Sequence, residues 1–348
     1  LKVAILGSGA MGTVLGAYMT KNGCDVELID NYQAHVDKMN SCGARIVGYA
    51  DMTVPVKAIL TEQMDGIYDV VFLFTKQLAN EQVLTALLPH LNEDSTVCTL
   101  QNGVPEPFVA QYVGEKRTVG GTVLWGATFL EPGVSELTQD ITKNKYLFEI
   151  GEIDGSITDR IKKVAGLLEY MGPTMVSDKL MESRWSKLVN NACMSGMSAA
   201  CGCTFGEVLD NPKARACLSY IGNEVKRCAE AEGHKLHPLL SMSETPTCLA
   251  LENREQYDES IALWDTVYGG LRTAKASMLQ DLEKNRPTEV RMINGYVCQT
   301  GDKHGIETPF CDTVVEIVEK IGRGELPLSM ENLKLFKPEL FVYGVPEA

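Results

Sequence analysis

The strongest constraint on the fold is a glycine-rich string at the start of the chain. Val3-Ala-Ile-Leu6 is a continuous apolar run, as expected for a strand covered on both faces of a parallel sheet. Gly7, Ser8, Gly9, Ala10, Met11 and Gly12 follow at once and fit G-x-G-x-x-G. The pattern from Ala10 to Asn22 then predicts a helix that stops at Gly23. In this setting, strand then turn then helix, the string specifies a dinucleotide site. Gly7 permits the tight turn, Gly9 lets the backbone approach a pyrophosphate, and Gly12 lets helix and strand pack closely. The helix N-terminus contributes unpaired N–H groups and the positive end of its dipole. Outside that setting, the string would be an ordinary glycine-rich connector.

Asp30 closes the second predicted strand, Asp25 to Asp30, eighteen residues beyond Gly12. A carboxylate there accepts hydrogen bonds from both ribose hydroxyls of NAD and repels the 2′-phosphate of NADP. The next basic residue is Lys38, about two helical turns on. The expectation is therefore NAD(H), the alternative for Asp30 being a solvated strand end.

Further strands are predicted at 70–74, 95–100, 118–124 and 174–176, with helices at 77–91 and 157–171. Such alternation implies βαβ units and a doubly wound parallel sheet, an α/β Rossmann-type domain. Beyond about Ser177 the pattern turns helical, at 179–200, 212–232, 258–284, 288–303 and 308–323. We therefore expect a dinucleotide-binding domain over 1–176 and an all-α substrate-binding and catalytic domain over 177–348. The 238–257 segment reads as a loop with short helical pieces, and the tail 325–348 as a surface wrap.

Composition narrows the function. The 348 residues carry 32 Lys and Arg against 46 Asp and Glu, a net charge of −14, with no basic block. That disfavours nucleic acid and anionic membrane surfaces as partners. No apolar run reaches the roughly 18 residues a membrane span needs. Leu1 leads into a strand pattern without a signal-peptide n-region or cleavage site, so a cytoplasmic location is expected. Eleven scattered Cys with no CxxC pair, the nearest spacing being Cys201-Gly-Cys203, argue for free thiols and against zinc or any other metal site. The sequence leaves a homodimer open.

Lys187, Asn191 and Ser195 fall at i, i+4 and i+8 of the helix predicted over 179–200, and so on one face. Their neighbours Trp185, Leu188, Val189, Ala192 and Met194 are mostly apolar. By spacing alone Lys187 is either a snorkelling edge residue or a functional ammonium.

A wider set of motifs bears on that choice. Thr75-Lys76, Gln101-Asn-Gly103, Lys187-x-x-x-Asn191, Ser277-Met-Leu-Gln-Asp281, Arg286-Pro-Thr-Glu-Val290 and Ile293-Asn-Gly-Tyr296, with the glycine-rich string, resemble the ketopantoate reductase (2-dehydropantoate 2-reductase) family. The resemblance runs from Leu1 to about Gly322. It implies reduction of the C2 carbonyl of ketopantoate to pantoate, with NADP(H) the usual cofactor. It further implies Lys187 as the acid and Glu289 as the carboxylate that hydrogen-bonds the substrate hydroxyl and also borders the cofactor. Asn191 and Ser277 match substrate-binding positions, and Lys76 and Asn102 lie near the nicotinamide. Asn102 thus serves substrate and cofactor alike. Asn294 and Tyr296 receive no chemical role.

Such chemistry needs a fixed ammonium beside the carbonyl oxygen, where negative charge grows as hydride arrives. Burial lowers a lysine pKa and a nearby carboxylate raises it. None of the five His falls on a motif position, which leaves the lysine as acid. Two departures bear on substrate and cofactor: Ser195 stands where the family usually has a second Asn, and Asp30 where NADP-using members usually have a basic residue. They keep a second reading open, an NAD-dependent D-2-hydroxyacid dehydrogenase of the mandelate or hydroxyisocaproate type. A third reading is an NAD-sensing protein without catalysis, which loss of Lys187 or Glu289 would have signalled.

Overall fold

The structure is a computed structural model that describes residues 1–239 and 242–346. The chain divides into two compact units, Leu1–Leu180 and Met181–Ala348.

The elements of the first unit are β1 (Val3–Leu6), α1 (Ala10–Lys21), β2 (Val26–Asp30), α2 (Gln33–Cys42), β3 (Ala44–Gly48), β4 (Met52–Val54), β5 (Lys57–Leu60), β6 (Val70–Leu73), α3 (Asn80–Leu87), β7 (Thr96–Thr99), α4 (Glu106–Val113), β8 (Thr118–Val123), β9 (Ala127–Glu131), β10 (Val134–Leu137), β11 (Phe148–Gly151), α5 (Asp159–Leu168) and β12 (Thr174–Val176). Eight strands form one sheet in the order β12-β11-β8-β7-β6-β1-β2-β5. Every neighbouring pair is parallel except β8 with β11. The expected Rossmann-type sheet is therefore present. Both faces of its centre are covered. Val3, Ile5, Val70 and Phe72 join one apolar cluster, and Ala4, Leu6, Val71 and Leu73 join the other. This period-2 division explains why β1 and β6 read as unbroken apolar runs.

A second sheet, in the order β4-β3-β10-β9, escapes the sequence analysis. Its strands are short and partly exposed, so they carry little apolar patterning. Its parallel pair joins Val134 to Arg45, far apart in the chain. The sheet packs on α1. With a sheet on either side, Val14, Leu15, Ala17 and Met19 of α1 are all fully buried. The predicted helix 77–91 is shorter than expected: α3 is flanked by single 3-10 turns at Gln77–Ala79 and Leu88–His90.

The second unit has no strand among its described residues. Its helices are α6 (Leu180–Asn190), α7 (Gly196–Cys201), α8 (Phe205–Asp210), α9 (Pro212–Ala231), α10 (Arg254–Tyr268), α11 (Ser277–Glu283), α12 (Asn294–His304) and α13 (Pro309–Gly322). Three sequence expectations are corrected here. The helix expected over 179–200 is interrupted by a π-helical turn, Asn191–Ser195. The one expected over 258–284 breaks after Tyr268, where Gly269 and Gly270 enter a 3-10 turn and α11 restarts at Ser277. The one expected over 288–303 begins as a 3-10 turn at Val290–Met292, and Ile293 (φ −110°, ψ −88°) breaks it from α12.

The tail lies over the surface of the helical unit, most of its described residues exposed or half-buried, and is anchored by a few buried side chains. Phe336 and Phe341 are buried. Their rings lie 6.0 and 5.2 Å from that of Phe310, and Asn332 donates to the Ala200 carbonyl at 2.9 Å. Residues 347–348 of that tail, and 240–241 of the 238–257 segment, lie outside the described residues. Among the described residues no helix is long and apolar enough to cross a membrane, and no cluster of His, Cys, Asp and Glu could hold a metal.

Candidate functional site

The sequence-predicted residues of the first unit gather at the carboxyl ends of four strands. The glycine-rich turn follows β1, Asp30 ends β2, Lys76 follows β6 and Asn102 follows β7. With β2 on one side of β1 and β6 on the other, the order of strand addition reverses beside β1, the usual place for a ligand in an open parallel sheet.

Each glycine of the turn has its own physical reason. Gly7 has φ +98°, and a Cβ on it would lie 2.4 Å from the Thr75 amide nitrogen. A Cβ on Gly12 would lie 2.3 Å from the Gly7 carbonyl oxygen. A Cβ on Gly9 would meet nothing within 4 Å. The fold thus demands Gly7 and Gly12, whereas at Gly9 there is open space for a ligand. Gly9 is also the N-cap of α1, with no side-chain capping bond and no acidic residue in the first turn. Uncapped amides beside open space fit the pyrophosphate of a dinucleotide. The Ser8 hydroxyl points inward, to the Ile29 and Ile5 carbonyls at 3.3 and 3.4 Å, its amide donates to the Ile29 carbonyl at 3.1 Å and its carbonyl accepts Thr13 Oγ1 at 2.6 Å, so buried Ser8 serves the shape of the turn.

The turn is braced by His35 of α2, a residue the sequence analysis passed over. The Gly133 amide donates to Nδ1 at 2.8 Å, so the neutral ring carries its proton on Nε2, which donates to the Ser8 carbonyl at 2.7 Å. Only the second sheet, which supplies Gly133, makes this link possible. Lys76 and Asn102 are both exposed, but the loops beneath them are stitched together. Gln101 donates to the Thr75 carbonyl and to Asn80 Oδ1, each at 2.6 Å, and Gln77 donates to the Asn102 carbonyl. Asp30 Oδ1 accepts the Tyr32 amide at 3.0 Å, and among the described residues no cation pairs with this carboxylate.

A cavity of about 830 Å³ lies elsewhere in this unit, lined by Lys116, Thr118, Glu152, Thr158 and Arg160 among others. Thr118 opens β8, so the cavity sits at the amino end of that strand, whereas the glycine-rich turn lies at the carboxyl end of β1. Its Arg160 and Glu152 are paired with each other.

In the second unit, Lys187 lies on α6 and is half-buried, between Trp185, Leu188 and Val189, which are buried. Burial, and after it the guanidinium of Arg184, lower its ammonium to about 8. Arg184 is itself fully buried, another residue missed by the sequence analysis. A charged residue one turn before Lys187 on an apolar stripe was the available signal.

The π-turn carries Asn191 and Ser195, both half-buried. The turn closes over five residues instead of four, which changes the angle between the two from that of a regular α-helix. Ser277 opens α11 and is exposed; α11 packs against the π-turn and α7. Glu289 is half-buried at the start of the 290–292 turn, and its carbonyl accepts the Met292 amide at 2.9 Å. This segment is held to α6 and the π-turn at two points. The Tyr296 and Trp185 rings are 5.6 Å apart, and Asn294 Nδ2 donates to the Ala192 carbonyl at 3.0 Å. The helical unit thus brings together the segments that bear Lys187, Asn191, Ser195, Ser277 and Glu289.

Comparisons with known proteins agree with this arrangement. The family model "Ketopantoate reductase PanE/ApbA" matches residues 3–152, and its C-terminal counterpart matches residues 179–322. A 2-dehydropantoate 2-reductase from Streptococcus pyogenes serotype M6 is 28% identical over 91% of this chain and 96% of its own. One from Archaeoglobus fulgidus is 26% identical over 93% and 98%. Among solved structures, D-mandelate dehydrogenase with NADH and anilino(oxo)acetate superposes with a TM-score of 0.79 at 25% identity, covering 93% of this chain and 99% of that one. A 2-dehydropantoate 2-reductase from Geobacter metallireducens gives 0.74 at 25% identity, covering 92% and 99%. A strand–turn–helix built for a dinucleotide, a lysine with a lowered pKa on the helical unit and matches across both units lead to one conclusion: the chain belongs to the ketopantoate reductase family, NAD(P)-dependent oxidoreductases that act on a CH–OH group.

Proposed function

We propose that this chain reduces the C2 carbonyl of a small 2-oxo acid, ketopantoate to pantoate being the first reading. The observation that carries it is Lys187, an ammonium brought to about 8 by its surroundings on a helix whose next turn presents Asn191 and Ser195. The reduced nicotinamide, when bound, supplies the hydride. Lys187 Nζ holds the proton and delivers it to the carbonyl oxygen as charge develops there. With a pKa near 8 the lysine is mostly charged at neutral pH, yet gives up its proton more readily than an exposed lysine. Glu289 accepts a hydrogen bond from the substrate hydroxyl and borders the cofactor. Asn191, Ser195, Ser277 and Asn102 supply donors to the acid, and Lys76 with Asn102 flanks the nicotinamide. The turn from Gly7 to Gly12 cradles the pyrophosphate and Asp30 receives the ribose hydroxyls, which favours NADH. In this reading residues 1–176 are the dinucleotide domain and 177–348 the substrate domain of a cytoplasmic enzyme.

A second reading has its own support. Asp30 has no cationic partner among the described residues, and D-mandelate dehydrogenase with NADH superposes well on this chain. Both favour an NAD-linked D-2-hydroxyacid dehydrogenase acting on another 2-oxo acid. One experiment separates the readings: absorbance at 340 nm with NADH and NADPH against ketopantoate, phenylglyoxylate and 4-methyl-2-oxopentanoate. Fastest turnover of ketopantoate supports the first. Faster turnover of either of the others supports the second. NADH binding without any turnover leaves a nucleotide sensor.

A further inference from the structure

We infer that Asn294 is a positioning residue: it holds open the π-turn at Asn191–Ser195, and through that turn sets how Asn191 and Ser195 are presented beside Lys187. The inference rests on the reading of those three residues as the substrate side of the site.

The argument begins with one backbone bond. In an α-helix the Gly196 amide would donate to the carbonyl four residues back, that of Ala192. Here it donates instead to Asn191, five back, and to Cys193. The Ala192 carbonyl has thus lost its helical donor at a fully buried residue, where an unpaired carbonyl is costly. Asn294 Nδ2 takes the donor's place at 3.0 Å.

Gly196 makes room for it. A Cβ on Gly196 would lie 2.9 Å from Asn294 Oδ1 and 3.1 Å from Nδ2. A side chain there would press the amide away from the carbonyl it serves. Asn294 is itself fully buried, and its Oδ1 has no hydrogen-bond partner among the described residues. Its amide orientation follows from the two bonds that Nδ2 donates, to the Ala192 carbonyl and, at 3.8 Å, to Cys311 Sγ. Two residues about a hundred positions apart, Gly196 and Asn294, together maintain one extra residue in a helix. Without them the Gly196 amide is free to take back the Ala192 carbonyl. The helix then tends toward regular α geometry, and Asn191 turns relative to the residues after it. Single-turn π insertions concentrate at functional sites for this geometric reason.

The test uses the full-length enzyme, NADH and whichever of ketopantoate, phenylglyoxylate and 4-methyl-2-oxopentanoate it reduces fastest. Asn294→Leu keeps the branched shape and removes the donor. We expect kcat/KM for the oxo acid to fall by about 10²-fold, the scale of a small misplacement of a contacting group. The NADH Kd should stay within about twofold of wild type. Asn332→Leu is the control, since it deletes a comparable bond from a buried Asn to a helical carbonyl, that of Ala200. Its kcat/KM should be that of wild type. Asn294→Asp adds a signature that packing alone would not produce. Only the protonated carboxyl donates, so the ratio of its kcat/KM to that of wild type should rise as pH falls. The inference is overturned if Asn294→Leu keeps wild-type kcat/KM or loses only what Asn332→Leu loses. Should Asn294→Leu fail to fold, the Asn294→Asp profile decides, and a ratio flat with pH overturns the inference. A wild-type enzyme that reduces none of the three acids would instead remove the functional reading beneath it.

Discussion

Lys187 follows Arg184 by one helical turn on α6, and burial together with that guanidinium holds the lysine near 8. Because the lysine is the proposed acid, reduction needs its charged form and oxidation its neutral form. In the reductive direction kcat/KM should be flat below about pH 7 and fall through pH 8. In the oxidative direction it should rise through the same range. A pH–rate profile without an inflection between pH 6 and 10 counts against lysine as the acid.

Lys187→Ala removes the ammonium and leaves the sequence of the glycine-rich turn intact. We expect kcat to fall by at least about 10²-fold. NADH affinity, read by fluorescence titration, should change little, and the inflection near pH 8 should vanish with the lysine. Near-wild-type kcat in this variant removes Lys187 from the mechanism.

The glycines of the turn should separate cleanly. Gly9 faces open space, so Gly9→Ala should leave the melting temperature unchanged and weaken NADH binding, by about tenfold or more if the methyl displaces a phosphate. At Gly12 a methyl would overlap the Gly7 carbonyl, so Gly12→Ala should destabilise the protein by about 1–3 kcal/mol, an overpacking cost. Thermal unfolding with NADH titration distinguishes the two, and equal loss of stability in both variants contradicts the assignment.

Asp30→Ala should narrow or abolish the preference for NADH, because it removes both the acceptor for the ribose hydroxyls and the charge that repels a 2′-phosphate. The ratio of kcat/KM with NADH to that with NADPH reports it. A wild-type enzyme that already prefers NADPH would show that Asp30 does not set cofactor choice.

Glu224 of α9 caps α13 from within the helical unit. Its two oxygens accept the Phe310 and Cys311 amides, each at 2.8 Å. Burial pushes the carboxyl up to about 8, against the opposing pull of those two N–H groups. Glu224→Gln keeps the shape but sets an NH2 against one of the donors. Above about pH 8, where the carboxyl is ionised and both oxygens accept, it should cost about 1–3 kcal/mol in chemical denaturation, with kcat of the folded enzyme near that of wild type. An unchanged denaturation midpoint would mean that the cap contributes nothing.

Reading the glycine-rich turn, Asp30 and the central strands required no knowledge of tertiary partners. Their signals are local: a backbone that needs φ above zero at Gly7, a close approach at Gly12, and apolar runs that only a doubly covered sheet accommodates. The motif residues of the helical unit could likewise be named from the chain. Their geometry could not. Between Lys187 and Ser195 the sequence mixes good helix formers (Lys187, Leu188, Ala192, Met194) with middling ones, and nothing local announces a π-turn. The turn exists because Asn294, distant in the chain, satisfies the Ala192 carbonyl. The second sheet is similar, since its pairing of β3 with β10 and the Gly133–His35–Ser8 bridge join residues that only folding makes neighbours. Local backbone sterics and hydrophobic period thus determined the type of fold, and the motif resemblance named the candidate residues of the site. Long-range hydrogen bonds, satisfied only once distant segments pack, decided how those residues are presented.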